Sequence, residues 1–171
     1  MMRERYKVII VGAGPSGLSA AINLYNKGIK DILVIEKFKF PRYKCCAGYI
    51  TNKTRKFYEN LGLNIDKCHY SLIDDFKIYY RLKEKQRIKN KFLYTNQKID
   101  RVELDNAFYE LACKMGIAVL EKTHVKSNDL EEKSITITGD KKLFYDYLIF
   151  ADGTCGYGSV YQHSKQKNND E

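Results

Sequence analysis

The N-terminal part of the chain alternates between continuous apolar runs and a helical spacing of apolar residues. Residues 8–11 are all apolar and lead into glycine, which is typical of a strand buried in a parallel sheet. The next apolar residues recur at i, i+3, i+4 and i+7, which predicts one face of a helix: Leu18, Ala21, Ile22 and Tyr25. Gly28 is predicted to end that helix, and segment 31–37 to form a second strand. Residues 6–37 therefore predict a strand–helix–strand unit.

The middle of the chain has shorter and more polar patterns. Residues 38–51 are predicted as a loop, and a short helix that ends at Gly62 follows. Two antiparallel strands joined by a charged turn are predicted over 71–82 and 86–95. The strongest helical pattern covers 99–116, where an apolar face is formed by Leu104, Ala107, Phe108, Leu111 and Met115.

Three strand-like segments complete the pattern: 117–127, 134–140 and 143–153. Strands that alternate with helices are typical of the α/β class. We therefore predict an α/β fold of the Rossmann-like kind, with a parallel sheet, a βαβ unit at the N-terminus and a short antiparallel strand pair.

Charge and composition exclude several classes of partner. The chain of 171 residues carries a net charge of +9, but its lysines are spread along the sequence and mixed with acids. No segment matches a nucleic-acid-binding motif, so we interpret the charge as a solvated surface, with weak contact to anionic lipid as an alternative. No apolar run reaches the ~18 residues of a membrane span. Because no export signal is recognised, we expect a cytoplasmic location.

The cysteines do not predict a disulfide framework or a metal site. Their number is odd and no CxxC pair occurs among them: Cys45, Cys46, Cys68, Cys113 and Cys155. The three histidines are scattered, so no metal-ligand spacing arises. We expect reduced thiols and no bound metal.

The sequence GAGPSG lies between the first predicted strand and the first predicted helix. Gly12, Gly14 and Gly17 have the G-x-G-x-x-G spacing of a dinucleotide site. Gly12 allows a tight turn, Gly14 lets a pyrophosphate approach the backbone, and Gly17 lets the helix pack closely on the strand. Pro15 and Ser16 begin the helix, whose free N–H groups would face the phosphates.

Glu36 ends the second predicted strand and is followed by Lys37. A carboxylate at this distance from the glycines accepts hydrogen bonds from the ribose diol of an adenine dinucleotide, and it disfavours a 2′-phosphate. FAD and NAD both carry this ADP half, so the motif alone leaves both open.

Three further segments carry a resemblance to a known family. In KFKFPRYKCCAGYIT the matching residues are Pro41, Arg42, Lys44, Cys46 and Gly48. DRVELD contributes Arg101 and Asp105, and IFADG is followed by Ser159, although Phe150 stands where glycine is common. Together with the glycine motif, these segments resemble the N-terminal FAD-binding half of the geranylgeranyl reductase-like oxidoreductases, which are related to aromatic hydroxylases and flavin-dependent halogenases.

The resemblance implies FAD as the cofactor and extends the candidate site. The cofactor-binding residues it adds are Arg42, Cys46, Ala47, Gly48, Arg101, Val125, Asp152 and Gly153. Val125 would present only its backbone to the adenine. Asp152 would hold the ribityl or pyrophosphate region, or act as a turn former. Cys46 would lie near the flavin, where it has a direct chemical role or is a buried small apolar residue; no other catalytic residue is predicted.

The resemblance also implies a function and a domain organisation. Residues 1–160 would form the FAD-binding domain, with 68–97 as part of a substrate domain, and 161–171 a disordered polar tail. Family members continue into a second half that carries a Gly-Asp-Ala motif, so we expect this chain to be incomplete as an enzyme on its own: a truncated gene product, a fragment, or a split subunit whose partner chain supplies the missing half. The implied activity is reduction of isoprenoid double bonds on a lipid. The alternatives are a non-catalytic dinucleotide-binding module and an FAD-dependent monooxygenase or halogenase relative.

Overall fold

A computed structural model describes residues 3–95, 100–154 and 156–158, with the side chains of 72–76, 88–95 and 100 left out. The chain divides into two compact units, the first formed by Met1–Arg42 and Phe108–Glu171 and the second by Tyr43–Ala107. Ser159 and the predicted tail 161–171 lie outside the described residues. The predicted domain boundaries, including the insertion at 68–97, stay a prediction.

The first unit is built on a six-stranded sheet with the order β6-β2-β1-β9-β8-β7. Its strands are β1 (Arg5–Val11), β2 (Ile32–Ile35), β6 (Ala118–Leu120), β7 (Val125–Asp129), β8 (Ser134–Ile137) and β9 (Lys141–Phe150). Strands β6, β2, β1 and β9 are parallel, whereas β8 and β7 continue the sheet as antiparallel strands. The carboxyl ends of β1, β2 and β9 therefore lie at one edge of the sheet, where α/β proteins bind ligands.

The core of the first unit lies on the central strands. All four residues of β2 and the last four residues of β1 are buried, as expected for parallel strands covered on both faces. A cluster of buried side chains joins β1 and β2 to β8 and β9: Tyr6, Ile9, Leu33, Ile35, Ile135, Ile137, Leu143 and Tyr145. The helix α1 (Pro15–Asn26) buries Leu18, Ala21 and Ile22 completely.

The second unit contains a three-stranded antiparallel sheet with the order β3-β5-β4. Its strands are β3 (Tyr49–Thr51), β4 (Ser71–Tyr80) and β5 (Lys83–Thr95), with α2 (Asn52–Asn60) and a 3-10 turn (Ile65–Lys67) between β3 and β4. The helix α3 (Asp100–Lys114) begins in the second unit and ends in the first. Leu104, Phe108 and Ala112 form its buried stripe.

The predicted α/β class is confirmed, including the parallel sheet, the N-terminal βαβ unit and the separate antiparallel strands. Part of the predicted loop 38–51 was wrong. Residues 49–51, predicted as loop, form strand β3 and pair with residues 93–95, so the antiparallel pair is part of a three-stranded sheet. A three-residue strand is too short to show alternation, which explains the miss. Among the described residues, no helix has the length and apolar content that crossing a bilayer requires.

Candidate functional site

The turn between β1 and α1 requires glycine at its first position. Gly12 has a φ of +102° and donates its N–H to the carbonyl of Ile35 at 2.8 Å. A Cβ on Gly12 would lie 2.7 Å from the carbonyl carbon of Ala151 and 2.8 Å from the Cα of Asp152. No side chain fits there, because the end of β9 passes directly against the turn.

Gly17 and Gly14 have different reasons for lacking a side chain. A Cβ on Gly17 would overlap the carbonyl oxygen of Gly12 and would lie 3.3 Å from the Ala151 Cβ, so glycine at position 17 preserves the shape of the turn. A Cβ on Gly14 would meet, among the described atoms, only the Nη2 of Arg42 at 3.8 Å. Folding therefore does not demand glycine at position 14, and the space in front of its backbone is open.

The start of α1 offers backbone N–H groups to an anion. Gly14 is its extended N-cap and Pro15 its first residue, and no side chain in the described part of the chain caps this end. The first turn holds no acidic residue, and Ser16 is exposed. A helix N-terminus of this kind, next to an open glycine, suits a phosphate group.

Glu36 lies at the carboxyl end of β2 and is buried. Its Oε2 accepts from the N–H of Ala13 at 3.0 Å, and its Oε1 accepts from the N–H of Phe38 at 3.1 Å. Arg42 Nη2 donates to the same Oε2 at 3.3 Å. A carboxylate has about four acceptor positions, so these three bonds leave room for a hydroxyl donor.

Arg42 lies close to both Glu36 and Gly14, the N-cap of α1. Its side chain is 8% exposed, and its guanidinium lies between the Glu36 carboxylate and the open face of Gly14. A buried cation beside a helix N-terminus favours an anionic ligand there. The structure thus brings together four predicted site residues of the first unit: Gly12, Gly14, Glu36 and Arg42.

The segment that carries Glu36 and Arg42 is fixed by residues far away in the sequence. The N–H of Phe40 donates to Glu121 Oε1, and the Phe40 ring stacks on Tyr109 with centroids 4.5 Å apart. Tyr109 donates its hydroxyl to Glu121 Oε2 at 3.1 Å. Burial, with Cys113 and Glu121 nearby, raises the pKa of Tyr109 to about 12. Sequence reasoning missed Glu121 and Tyr109, since nothing local marks them.

The end of β9 folds back on itself. Asp152 Oδ2 accepts from the N–H of Gly158 at 2.9 Å, so Asp152 closes the turn that follows it. A Cβ on Gly158 would lie 2.7 Å from the Cβ of Phe150. The large residue at position 150 is therefore matched by a glycine at 158. Asp152 is also brought against the Gly12 turn, while Gly153 is exposed with a φ of +80°.

Two predicted residues of the first unit lie apart from this cluster. Val125 begins β7, at the far edge of the sheet from β6, and is half-buried. Lys37 is exposed, with its Nζ 5.1 Å from the ring centre of Phe38. Neither has a described contact with the Gly12–Gly17 turn.

In the second unit, Cys46 lies beside Gly48 and Arg101. The N–H of Gly48 points to Cys46 Sγ at 3.5 Å, and Gly48 has a φ of +75° that suits glycine. Cys45, Cys46 and Ala47 are exposed, so the alternative that Cys46 is a buried small apolar residue was wrong. The Gly48 N–H, followed by the Arg101 guanidinium, lowers the pKa of the Cys46 thiol.

Arg101 forms a two-pronged ion pair with Asp105 one helical turn later. Its Nε donates to Oδ1 at 2.7 Å and its Nη2 to Oδ2 at 3.0 Å. The Asp105 side chain is fully buried, and that of Arg101 is 14% exposed. Although burial opposes it, this pairing raises the pKa of Arg101. The predicted ligand-binding arginine is thus held in place by a buried carboxylate of its own helix.

The Cys46 thiol should be alkylated by iodoacetamide with a pH midpoint below that of the same thiol in the urea-unfolded chain. The lowered pKa increases the thiolate fraction at a given pH, and the thiolate is the nucleophile. Peptide mass spectrometry of a Cys45→Ser variant isolates the signal from Cys46. A midpoint equal to or above that of the unfolded chain would contradict the described contacts.

Comparison with known proteins gives one family match and several relatives. The family model described as FAD binding domain matches residues 5–159. An uncharacterized protein of Methanosarcina barkeri (strain Fusaro) is 33% identical over 90% of this chain. The menaquinone reductase of Mycolicibacterium smegmatis is 26% identical over 89% of it. The chain spans 38% of the length of each of these two relatives.

One solved structure has a similar fold. The structure of 2-methyl-3-hydroxypyridine-5-carboxylic acid oxygenase superposes on this chain with a TM-score of 0.71 at 18% identity. The match covers 92% of this chain and 43% of the oxygenase chain. The geometry described above fits FAD, because the open face of Gly14, the uncapped helix start and the buried Arg42 suit a pyrophosphate. The chain belongs to the FAD binding domain family, and its cofactor is FAD.

Proposed function

We propose that the first unit holds the ADP half of FAD at the turn between β1 and α1. The open face of Gly14 carries this proposal, because among the described atoms only Arg42 Nη2, at 3.8 Å, lies near a Cβ placed on that residue. The pyrophosphate would accept from the N–H groups at the start of α1 and from Arg42. Glu36 would accept from the ribose, through the acceptor position that Ala13, Phe38 and Arg42 do not use.

We further propose that the chain is the FAD-binding part of an oxidoreductase that reduces isoprenoid double bonds. FAD supplies the electron transfer when bound, and the protein contributes position and electrostatics. Two observations support this substrate class. The segment from Pro41 to Gly48 resembles that of geranylgeranyl reductases, and one relative is named for the reduction of menaquinone, which carries an isoprenoid side chain.

A flavin-dependent monooxygenase is the second candidate. The structure of a named oxygenase has the same fold over most of this chain. The likeness rests on an identity below one fifth, so it supports the fold and leaves the substrate open. The two candidates differ in whether the reduced flavin passes its electrons to a carbon–carbon double bond or to dioxygen.

FAD should bind in preference to NAD, and Glu36→Gln should weaken FAD binding about tenfold. The charged carboxylate makes stronger hydrogen bonds to hydroxyl donors than an amide does. Quenching of flavin fluorescence measures FAD, and calorimetry measures NAD. Tighter binding of NAD than of FAD would contradict the assignment, and an unchanged FAD affinity in the variant would remove Glu36 from the ribose site.

A single-turnover experiment separates the two activities. FAD bound to the chain is reduced with dithionite, excess reductant is removed, and a geranylgeranyl lipid is added without oxygen. Flavin reoxidation with gain of two hydrogen atoms by the lipid supports the reductase. Reoxidation only in air, with gain of one oxygen atom by an aromatic substrate, supports the monooxygenase. FAD binding without either reaction would fit both an incomplete enzyme and a non-catalytic module; free FAD is the control.

A further inference from the structure

The turn between β4 and β5 carries a concentration of exposed apolar side chains. We call residues 77–87 the hairpin tip; every one of them is exposed. Leu82 is 98% exposed, and Tyr79 and Tyr80 are more than half exposed. Ile78 is exposed as well. A concentration of exposed apolar side chains of this kind is typical of an interaction surface.

The apolar residues lie on both faces of the hairpin tip. Tyr79 pairs with Glu84 across the strands, and Tyr80 pairs with Lys83. Directly paired residues share a face and neighbours in one strand alternate, so the two tyrosines point to opposite faces. A partner protein that packs a sheet or a helix on the hairpin would cover only one of its faces. A fluid environment such as the lipid headgroup region would surround the hairpin tip and cover both faces.

The backbone conformation of the two-residue turn in the hairpin tip is unfavourable for Arg81 and Leu82. Arg81 has a φ of +48° and Leu82 a φ of +62°. A two-residue turn of this kind favours Asn-Gly, because most side chains are strained in the left-handed region. A leucine that is strained and almost fully exposed contributes little to the fold, which indicates a role outside it.

The charge of the hairpin tip selects the partner. Five basic residues stand against one acidic residue, a net charge of +4: Lys77, Arg81, Lys83, Lys85 and Arg87 against Glu84. Glu84 is itself engaged, since Tyr79 donates to it at 3.3 Å and Lys77 lies 3.9 Å away. Basic side chains next to apolar ones extend their charges to lipid phosphates while the apolar parts are buried.

We propose that the hairpin tip inserts into the headgroup region of an anionic phospholipid membrane. Leu82 enters the acyl boundary, the two tyrosines lie at the interface as in aromatic belts, and the basic residues bind lipid phosphates. A single-stranded nucleic acid would use the tyrosines for stacking but would gain little from Leu82 and Ile78. The proposal does not depend on the substrate proposed above.

Cosedimentation of the full chain with vesicles tests the proposal. Binding is expected to vesicles of phosphatidylcholine mixed with phosphatidylserine, weakened by salt, and not to phosphatidylcholine alone. Leu82→Gly should weaken binding about tenfold, the effect of losing one buried leucine. Since glycine relieves the left-handed turn, the thermal midpoint should not fall. The control Leu130→Gly removes an exposed leucine from the turn between β7 and β8 and should leave binding unchanged.

Insertion itself can be followed with a single tryptophan, because the chain has none. Tyr80→Trp and Tyr147→Trp place it at strand tyrosines of similar exposure, 59% and 64%. Brominated phosphatidylcholine in the mixed vesicles should quench the first and not the second. Equal quenching, absence of vesicle binding, insensitivity to Leu82→Gly, or tighter binding of a single-stranded oligonucleotide than of vesicles would each overturn the proposal.

Discussion

Replacing Arg101 by alanine is expected to lower the free energy of unfolding by about 3–5 kcal/mol, the scale on which half of a buried ion pair is lost. The substitution removes the guanidinium that neutralises the fully buried Asp105 through two hydrogen bonds of 2.7 and 3.0 Å. Urea unfolding followed by circular dichroism measures the change.

Arg55 provides a matched control on α2. It forms the same i,i+4 pair, with Glu59, and its side chain is 15% exposed, against 14% for Arg101. Arg55 also pairs with Asp66. The carboxylate partners of Arg55 differ from Asp105 in burial, since the side chain of Glu59 is 40% exposed and that of Asp66 is 64% exposed. Arg55→Ala should therefore cost no more than about 1 kcal/mol. Equal losses of unfolding free energy in the two variants would show that burial of the partner carboxylate does not determine how much the ion pair stabilises the fold.

Gly14→Ala should weaken FAD binding about 100-fold and leave the stability of the cofactor-free chain unchanged. The methyl group finds open space in the protein, with Arg42 Nη2 at 3.8 Å, but it occupies the position that a pyrophosphate would need. Overlap of this size costs about 2–3 kcal/mol. Fluorescence quenching gives the affinity, and thermal unfolding without FAD gives the stability.

Gly12→Ala is the contrasting variant in the same turn. Its methyl group would press against Ala151 and Asp152, and its φ of +102° excludes alanine. It should destabilise the chain already without cofactor. If Gly14→Ala also destabilised the free chain, or bound FAD normally, the open face of Gly14 would not be the pyrophosphate position.

The sequence indicated most of what is local in this structure. The glycine spacing predicted the turn at Gly12, because only glycine tolerates both its positive φ and the approach of Ala151. Glu36 was placed correctly at the end of β2, because a buried strand shows as a continuous apolar run. Of the apolar face predicted for α3, Leu104 and Phe108 are buried, and the structure adds Ala112 and Asp105 to the buried residues of this helix.

Contacts between distant segments could not be predicted in this way. Phe40 and Glu121 are 81 residues apart, and no local sequence pattern in either segment predicts the hydrogen bond between them. The close approach of Gly158 to Phe150 likewise appears only when the chain has folded back. Arg42 was assigned by resemblance, but its position between Glu36 and Gly14 depends on the path of the whole segment between β2 and β3.

The anchoring of Phe40 by Glu121 and Tyr109 has a consequence for the thermodynamics of cofactor binding. Because these contacts between the protein's own residues fix the segment that carries Glu36 and Arg42, binding does not have to order it. The conformational entropy of the segment is lost during folding, so more of the interaction energy appears as affinity. Association with FAD then resembles docking to a preformed surface, and no slow rearrangement of the segment limits the association rate.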